Sequence, residues 1–329
     1  MRSSERSFQN EGLGSESQTC SACQSRPPFY KREYEGAILC KTCFKDSVER
    51  KVRRTISHWR MFLPDDHIAV AVSGGKDSLT LLKILKKLTQ KFPRSKITAV
   101  TVDEGIAGYR EEAVNLASES CKRLQVDHEV VSFEELYGNG LDDFLKDKHH
   151  RMSACSYCGV FRRKAINVAA RRVGATRIAT AHNLDDVVQT YLLNLFQGDV
   201  DRFARFSPVL NDPRGGFLPR VKPLCEVPER EVALYGFLEG LTFQTTSCPY
   251  MAEALRNELR TVLNRLEQAH PGVLFTSYRA MTRLRDMAGP NAPPSVLHAC
   301  ESCGEPTSVK ICEACRMVGV SEEKLNLAA

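Results

Sequence analysis

Residues His67 to Leu88 read H-I-A-V-A-V-S-G-G-K-D-S-L-T-L-L-K-I-L-K-K-L. The run opens on alternating β-branched residues, Ile68, Val70 and Val72, as a buried strand of a parallel sheet does. It ends with Leu79, Leu82, Ile84, Leu85 and Leu88 at helical spacing, with Lys83, Lys86 and Lys87 on the opposite face. Ser73-Gly74-Gly75-Lys76-Asp77-Ser78 is the turn between them. Two glycines let backbone N–H groups crowd an anion, the hydroxyls add donors, and a helix N-terminus supplies a positive dipole. The stretch predicts a phosphate cradle at a strand end. It lacks the G-x-x-x-x-G-K-[ST] spacing of GTPases and kinases.

Set after an apolar strand, S-G-G-K-D-S resembles the PP-loop of the ATP pyrophosphatase superfamily. Its members bind ATP, cut between the α and β phosphates and adenylate a substrate. The expected fold is α/β, a doubly wound parallel sheet of Rossmann-like type. The strand Lys96 to Val102 follows, then a helix over Glu111 to Leu124 and a third strand over Asp127 to Ser132. Ligands bind at the carboxyl ends of such strands, so Val102 and Asp103 are expected to hold an adenosine through backbone groups.

The whole chain agrees with a globular protein. It has 329 residues, 42% hydrophobic and 26% charged, which excludes a low-complexity or fibrous class. No apolar run reaches the length of about eighteen residues that a membrane span needs. Nor is there an apolar signal segment, and the chain is expected in the cytoplasm. The net charge of +6 permits an anionic partner without requiring one.

Thirteen cysteines are the anomaly, and most of them sit in C-x-x-C pairs. In a reducing compartment such pairs bind metals or carry redox chemistry. Cys20, Cys23, Cys40 and Cys43 have sixteen residues between their pairs, and Cys300, Cys303, Cys312 and Cys315 have eight. Each set predicts a closed tetrahedral, structural zinc site. Arg26, Tyr30, Lys31, Arg32 and Tyr34 in the first loop suit RNA backbone or base stacking, or else form a solvated tip. The expected organisation is a disordered tail (1–19), a zinc finger (20–44), a catalytic domain with a helical RNA-binding part (45–290) and a second zinc finger (296–318).

Two further centres carry chemistry. Cys155 and Cys158 are read as lying just before a helix from Gly159 to Arg172, where its N-terminus with Arg162, Arg163 and Lys164 would depress the thiol pKa. The pair suits a redox dithiol, half a zinc site or part of an iron–sulfur cluster, and Cys248, in a T-T-S-C-P-Y loop, is a candidate partner. Cys121 is expected to be an inert core thiol. Arg177 to Asp186 reads as strand, turn and helix, with Ala181, His182, Asn183, Asp185 and Asp186 at the strand's carboxyl end. These residues suit Mg²⁺ held against ATP, or a substrate base. They also suit helix capping.

Basic residues recur elsewhere. A helix over Lys45 to Phe62 carries Arg50, Lys51, Arg53, Arg54 and Arg60. A turn-rich segment over Gln197 to Val227 carries Arg202, Arg205, Arg214, Arg220 and Lys222 and reads as an RNA-facing flap or a plain loop. Arg256, Arg260 and a helix over Ser277 to Met287 add to them, and Gly289 to Pro294 is a linker.

Taken in order from Cys20 to Cys315, these motifs resemble the tRNA uridine 2-thiolation enzymes of the TtcA/TtuA group. The branch with two zinc fingers, TtuA and the cytosolic thiouridylases, is the nearer. The resemblance implies that ATP binds at Ser73 to Ser78, with Lys76 neutralising phosphate, and that uridine O2 is adenylated. It implies a [4Fe–4S] cluster on Cys155, Cys158 and Cys248, an active-site aspartate at Asp186 and a fixed charge at Arg162. It further implies a thiocarboxylated ubiquitin-like sulfur carrier, tRNA as substrate and, as is common in the group, a homodimer. Other readings are a persulfide pathway through Cys155 and Cys158, a lysidine-type or amidating PP-loop ligase, and a non-catalytic RNA-binding zinc-ribbon protein.

Overall fold

The computed structural model describes residues 19–146, 153–204, 206–210, 217–250, 255–288 and 297–319. The N-terminal tail up to residue 18, Arg151, Arg205, Arg214 and the 289–294 linker lie outside them. The chain divides into two compact units, one ending at Asp46 and one starting at Ser47.

The first unit is a zinc-ribbon-like knuckle. β1 (Tyr30–Arg32) pairs antiparallel with β2 (Ala37–Leu39), and the turn between them closes at Gly36. Tyr30 packs its ring against Phe44 at 4.9 Å, and Arg32, buried, donates to Glu35. Both belong to the interior of the knuckle. Of the residues expected to stack on RNA, Arg26 and Lys31 are the exposed ones. Helix α1 (Lys41–His58) begins at the second cysteine pair, earlier than expected, and leads into the second unit.

There Val48 and Val52 are fully buried, and Trp59 Nε1 donates to Glu226. Lys51 is drawn onto buried Glu231 and the Phe275 ring, while Arg50, Arg53 and Arg54 face solvent.

The second unit is built on a six-stranded sheet. β3 (His67–Ala71) is followed by α2 (Lys76–Thr89), β4 (Lys96–Asp103), α3 (Arg110–Leu124) and β5 (Asp127–Ser132). Short α4 (Phe133–Tyr137) and α5 (Leu141–Lys146) lead to the long α6 (Ala154–Arg172) and β6 (Arg177–Ala179). α7 (Leu184–Phe196), α8 (Val200–Ala204), β7 (Val209–Leu210) and β8 (Arg220–Val221) come next. The segment read as a flap or loop thus contributes two strands, β8 beside β6 and β7 at the edge, too short to leave an alternating pattern in the sequence. α9 (Glu229–Leu238), α10 (Leu255–Ala269) and α11 (Val273–Ala288) precede a hairpin of β9 (His298–Ala299) and β10 (Pro306–Thr307), then α12 (Glu313–Met317).

The strand order is β5-β4-β3-β6-β8-β7, parallel throughout except for β7. The chain runs outward from β3 to β5, then crosses back to β6 on the other side of β3. The loops after β3 and β6 therefore diverge, which opens a crevice at their carboxyl ends. Ala69, Val70, Val100, Val131 and Ile178 fill the sheet's core, and Leu79, Leu82 and Leu85 cover it from α2.

Candidate active site

The S-G-G-K-D-S loop lies at one wall of this crevice. Gly74 has φ +83°, and a Cβ there would come within 2.3 Å of the Ala113 carbonyl. The backbone can thus approach α3 only with glycine at this position. Gly75 is the N-cap of α2, so Lys76, Asp77 and Ser78 form the first helical turn rather than a loop. Ser78 Oγ accepts from Ser73 N at 3.1 Å and donates to Gly75 O at 2.9 Å, which fixes the curl. Lys76 Nζ is held between Asp77 Oδ2 at 2.8 Å and Glu229 Oε1 at 2.7 Å.

The opposite wall is the turn before α7. Asn183 caps that helix in a reciprocal pair with Asp186, whose amide donates to Asn183 Oδ1 at 3.0 Å. The capping reading therefore holds, and Asp186 keeps an open oxygen 4.0 Å from Arg256. Asp185 accepts from Glu229 N at 2.7 Å. Burial, then the Asp77 charge, push the Asp186 carboxyl up to about 6, and burial does the same to Asp185. Asp77 is also raised by burial, and its Oδ1 has no hydrogen-bond partner. Carboxylates that raise one another, with one lone oxygen, fit a divalent cation shared with phosphates.

Ala181 and His182 lie between the walls. His182 is open to solvent yet crowded by protein on its other sides, as on a cleft floor. Burial, with Lys222, Arg256, Arg220 and Arg162 around it, lowers its pKa to about 3, so the ring is neutral. At β4 the Val102 carbonyl accepts from Arg110 Nη2 at 2.5 Å, and Asp103 Oδ1 accepts from Gly105 N. These contacts stiffen the strand end expected to face adenosine.

The cysteine centre adjoins the loop. Helix α6 is capped by Ser153 and does not wait for Gly159, so both Cys155 and Cys158 lie inside its first turns. Arg162 Nη2 donates to Cys158 Sγ at 2.9 Å, but Lys164 Nζ faces Cys303, Cys315 and Cys312, and the Arg163 carbonyl accepts from Arg220 Nη2. The expectation that Arg162 and the helix terminus depress the Cys158 thiol is outweighed by burial. Burial raises that thiol to about 11, and Arg162 only moderates the rise. Cys155 Sγ approaches Tyr250 O at 3.7 Å, and Gln244 N donates to Gly74 O at 3.1 Å. The segment bearing Cys248 is thereby stitched to the cysteine helix at one end and to the phosphate loop at the other.

Glu104 joins the two centres. Buried at the end of β4, it contacts Arg110 at 2.5 Å and Arg162 at 2.7 Å, and Arg110 Nη1 donates to Ser73 O at 3.0 Å. Sequence reading misses Glu104 and Glu229. The strand-end rule that selects Asp103 reaches Glu104 as well, whereas no spacing points to Glu229.

The donor sets differ in what they fit. The sulfurs of Cys20, Cys23, Cys40 and Cys43 lie within 4.8 Å of one another, as do those of Cys300, Cys303, Cys312 and Cys315. Backbone amides of Cys43 and Cys312 donate to Cys40 and Cys300 sulfur. Both sets fit a tetrahedral ion with thiolate bonds of about 2.3 Å. Among the described residues Cys155, Cys158 and Cys248 form no such tight group, although Cys248 is near enough for its charge to raise Cys158. Three spaced thiols fit a multi-iron cluster better than a single ion. Cys121 is buried, and burial pushes it to about 12, as expected of a core thiol.

Comparison with known proteins agrees with this layout. A PP-loop domain family matches residues 44–267. The chain is 38% identical to the tRNA 2-thiolation protein NcsA of Haloferax volcanii, over 91% of this chain and 98% of that one. It is 35% identical to the tRNA-5-methyluridine(54) 2-sulfurtransferase of Pyrococcus horikoshii, over 92% and 94%. The solved U34-tRNA thiolase NcsA of Methanococcus maripaludis, which contains a [4Fe-4S] cluster, superposes with a TM-score of 0.79 at 32% identity, over 91% of this chain and 94% of that one. With its nucleotide loop, cysteine centre and chain-length matches in accord, the protein belongs to the PP-loop family, among the NcsA- and TtuA-type tRNA 2-thiolation proteins.

Proposed function

We propose that this protein is an ATP-dependent tRNA uridine 2-sulfurtransferase. The observation that carries the reading is the seating of the Cys248 segment between the phosphate loop, through Gln244 and Gly74, and the Cys155 helix. Activation and sulfur insertion are then served from one crevice.

ATP lies on Ser73 to Ser78, with Lys76 against its phosphates, and Asp77 and Asp186 would hold a Mg²⁺ ion, which would neutralise phosphate charge. Uridine O2 attacks the α-phosphorus: the O–P bond forms, the bond to the β-phosphate oxygen breaks, and pyrophosphate leaves. A sulfur nucleophile then adds at C2, and the C2–O bond breaks with AMP as leaving group. Lys76 and the α2 N-terminus stabilise the developing phosphate charge, and Asp186 orients the reacting groups. Cys155, Cys158 and Cys248 would hold a [4Fe–4S] cluster, which supplies an iron with an open coordination position for sulfide. Arg162 is a fixed cation beside Cys158. Zinc in both four-cysteine sets is structural. A thiocarboxylated ubiquitin-like carrier supplies the sulfur and a homodimer is the assembly, both on family resemblance. Thirteen free cysteines accord with the reducing cytoplasm.

The test is anaerobic protein with tRNA, ATP and sulfide. AMP release and 2-thiouridine in digested tRNA are expected, with iron bound and thiolation lost in Cys248→Ala. Iron-free protein whose Cys248→Ala variant still thiolates overturns the cluster assignment. Locating the thiolated nucleotide assigns the target, since relatives act at both U34 and U54. A lysidine-type or amidating ligase would leave the three cysteines without a task.

A further inference from the structure

Helix α6 lines a second opening beyond the cysteine centre, a cavity of about 400 Å³. Val160, Leu210 and Leu218 give it apolar walls, and Asn167, Arg163 and Arg220 face it. None of its lining residues belongs to the phosphate loop or to the Cys155, Cys158 and Cys248 set.

Asn167 is 3% exposed, and its Oδ1 has no hydrogen-bond partner. A buried amide oxygen left unpaired is destabilising, and one at a cavity wall is accounted for by a water, an ion or a ligand that supplies the missing donor. The cations are likewise unanswered. Arg220 Nη2 donates to the Arg163 carbonyl at 2.7 Å, and neither guanidinium meets a carboxylate among the described residues. The acids that line the cavity are already engaged, Glu305 by Arg171 and Glu313 by Arg316, and Lys164 is turned to the cysteine sulfurs. Burial and the adjacent Arg163 lower Arg220 to about 10, as expected of a cation that lacks an anion.

We propose that this cavity is a nucleotide subsite for the RNA substrate, in which an unstacked base enters the apolar slot against Asn167 and its phosphate meets Arg163 and Arg220. An apolar slot with one buried amide and guanidiniums beside it matches how single-stranded RNA is read, by base edge and backbone together. Arg220 also lies, with Lys222, Arg256 and Arg162, near enough to His182 for their charges to act on its ring. An acidic peptide would use the cations but leave the amide and slot without purpose. The inference rests on the thiolation reading and gives it a second RNA contact.

The test uses the full chain and unmodified tRNA at one fixed salt concentration. Asn167→Leu replaces the amide with an apolar group of similar size. It should melt at or above the wild-type temperature while tRNA affinity falls about tenfold. Arg163→Gln, at an exposed position, should weaken tRNA binding several-fold and lower the salt slope by about one, and it serves if Asn167→Leu fails to fold. Unchanged tRNA affinity in both variants, with thiolation intact, overturns the subsite and leaves the thiolation reading standing. Wild-type protein that binds tRNA but forms neither AMP nor 2-thiouridine overturns that reading instead. If calorimetry with uridine monophosphate shows binding that the variants lose while tRNA binding is unchanged, the site takes a free nucleotide and RNA occupancy is overturned. Loss of binding to an acidic peptide alone overturns it in the same way.

Discussion

Glu104 Oε1 meets Arg162 Nε at 2.7 Å, and the same guanidinium donates to Cys158 Sγ at 2.9 Å. The other Glu104 oxygen meets Arg110, which holds the Ser73 and Val102 carbonyls. One buried carboxylate thus fixes two cations, one at the nucleotide loop and one at the cysteine helix. Glu104→Gln keeps the volume and removes the charge, which leaves Arg110 buried without its counter-ion. The expected cost is about 3–5 kcal/mol in urea unfolding. ATP affinity and iron retention should fall together. Loss of one with the other intact would sever the proposed link.

Gly74 and Gly75 are adjacent but unequal. Alanine at 74 must adopt φ +83° and meet the Ala113 carbonyl, whereas at 75 the nearest neighbour is Ser73 Oγ at 3.5 Å and φ is −83°. Strain of this kind costs about 1–3 kcal/mol, and the loop would have to move away from α3. Gly74→Ala should therefore abolish ATP binding by calorimetry, while Gly75→Ala loses only an N-cap preference of about 1 kcal/mol or less. Equal effects would contradict the geometry.

The contrast between these glycines is not legible in S-G-G-K-D-S, because it depends on where α3 passes. The strand Asp127–Ser132 is legible to the residue, since the end of the preceding helix and the β-branched pair Val130 and Val131 fix it locally. The start of α6 is hidden because Gly159 looks like a boundary, while Ser153 is the actual cap, its Oγ accepting from Ser156 N. The pKa of Cys158 escapes local reading for the same reason: a helix face that includes Phe161 and Ala165 carries the thiol into the core, where desolvation outweighs the nearby charge. Glu104 and Glu229 matter through partners far away in sequence, which no local pattern records.

Asp185 and Asp186, both near 6 against an ordinary value of 3.8, give the crevice a pH dependence. Raised carboxyls bind protons more tightly folded than unfolded. Their contribution to stability is full below about pH 4 and is lost as pH rises through about 6. Glu229 is lowered by Lys76 and Arg260 despite its burial, so it does not titrate in this window. Protein without ligand should therefore lose stability from these groups between about pH 4 and pH 6 by thermal melt, and Mg²⁺ with ATP should restore it. Mg²⁺-dependent ATP affinity should weaken as pH falls below about 6, because the protonated acids no longer attract the cation. Asp186→Asn should flatten both profiles.

The C-terminal cysteine set is joined to the catalytic unit through packing. Cys300, Cys312 and Cys315 belong to the same buried cluster as Phe161 and Ala165 of α6, and α12 packs on α6. Lys164, from that helix, supplies a cation to the sulfurs at 3.2 Å from Cys303. Folding energy from the metal is therefore expected to stabilise the helix that carries Cys155 and Cys158. Cys312→Ser should lower zinc from two to one per chain by elemental analysis and reduce iron retention and the melting temperature together. Cys40→Ser should remove the other zinc, while the unit beginning at Ser47 keeps its own cooperative transition and its iron. A Cys312→Ser protein that retains wild-type iron and stability would show that the second metal site does not support α6.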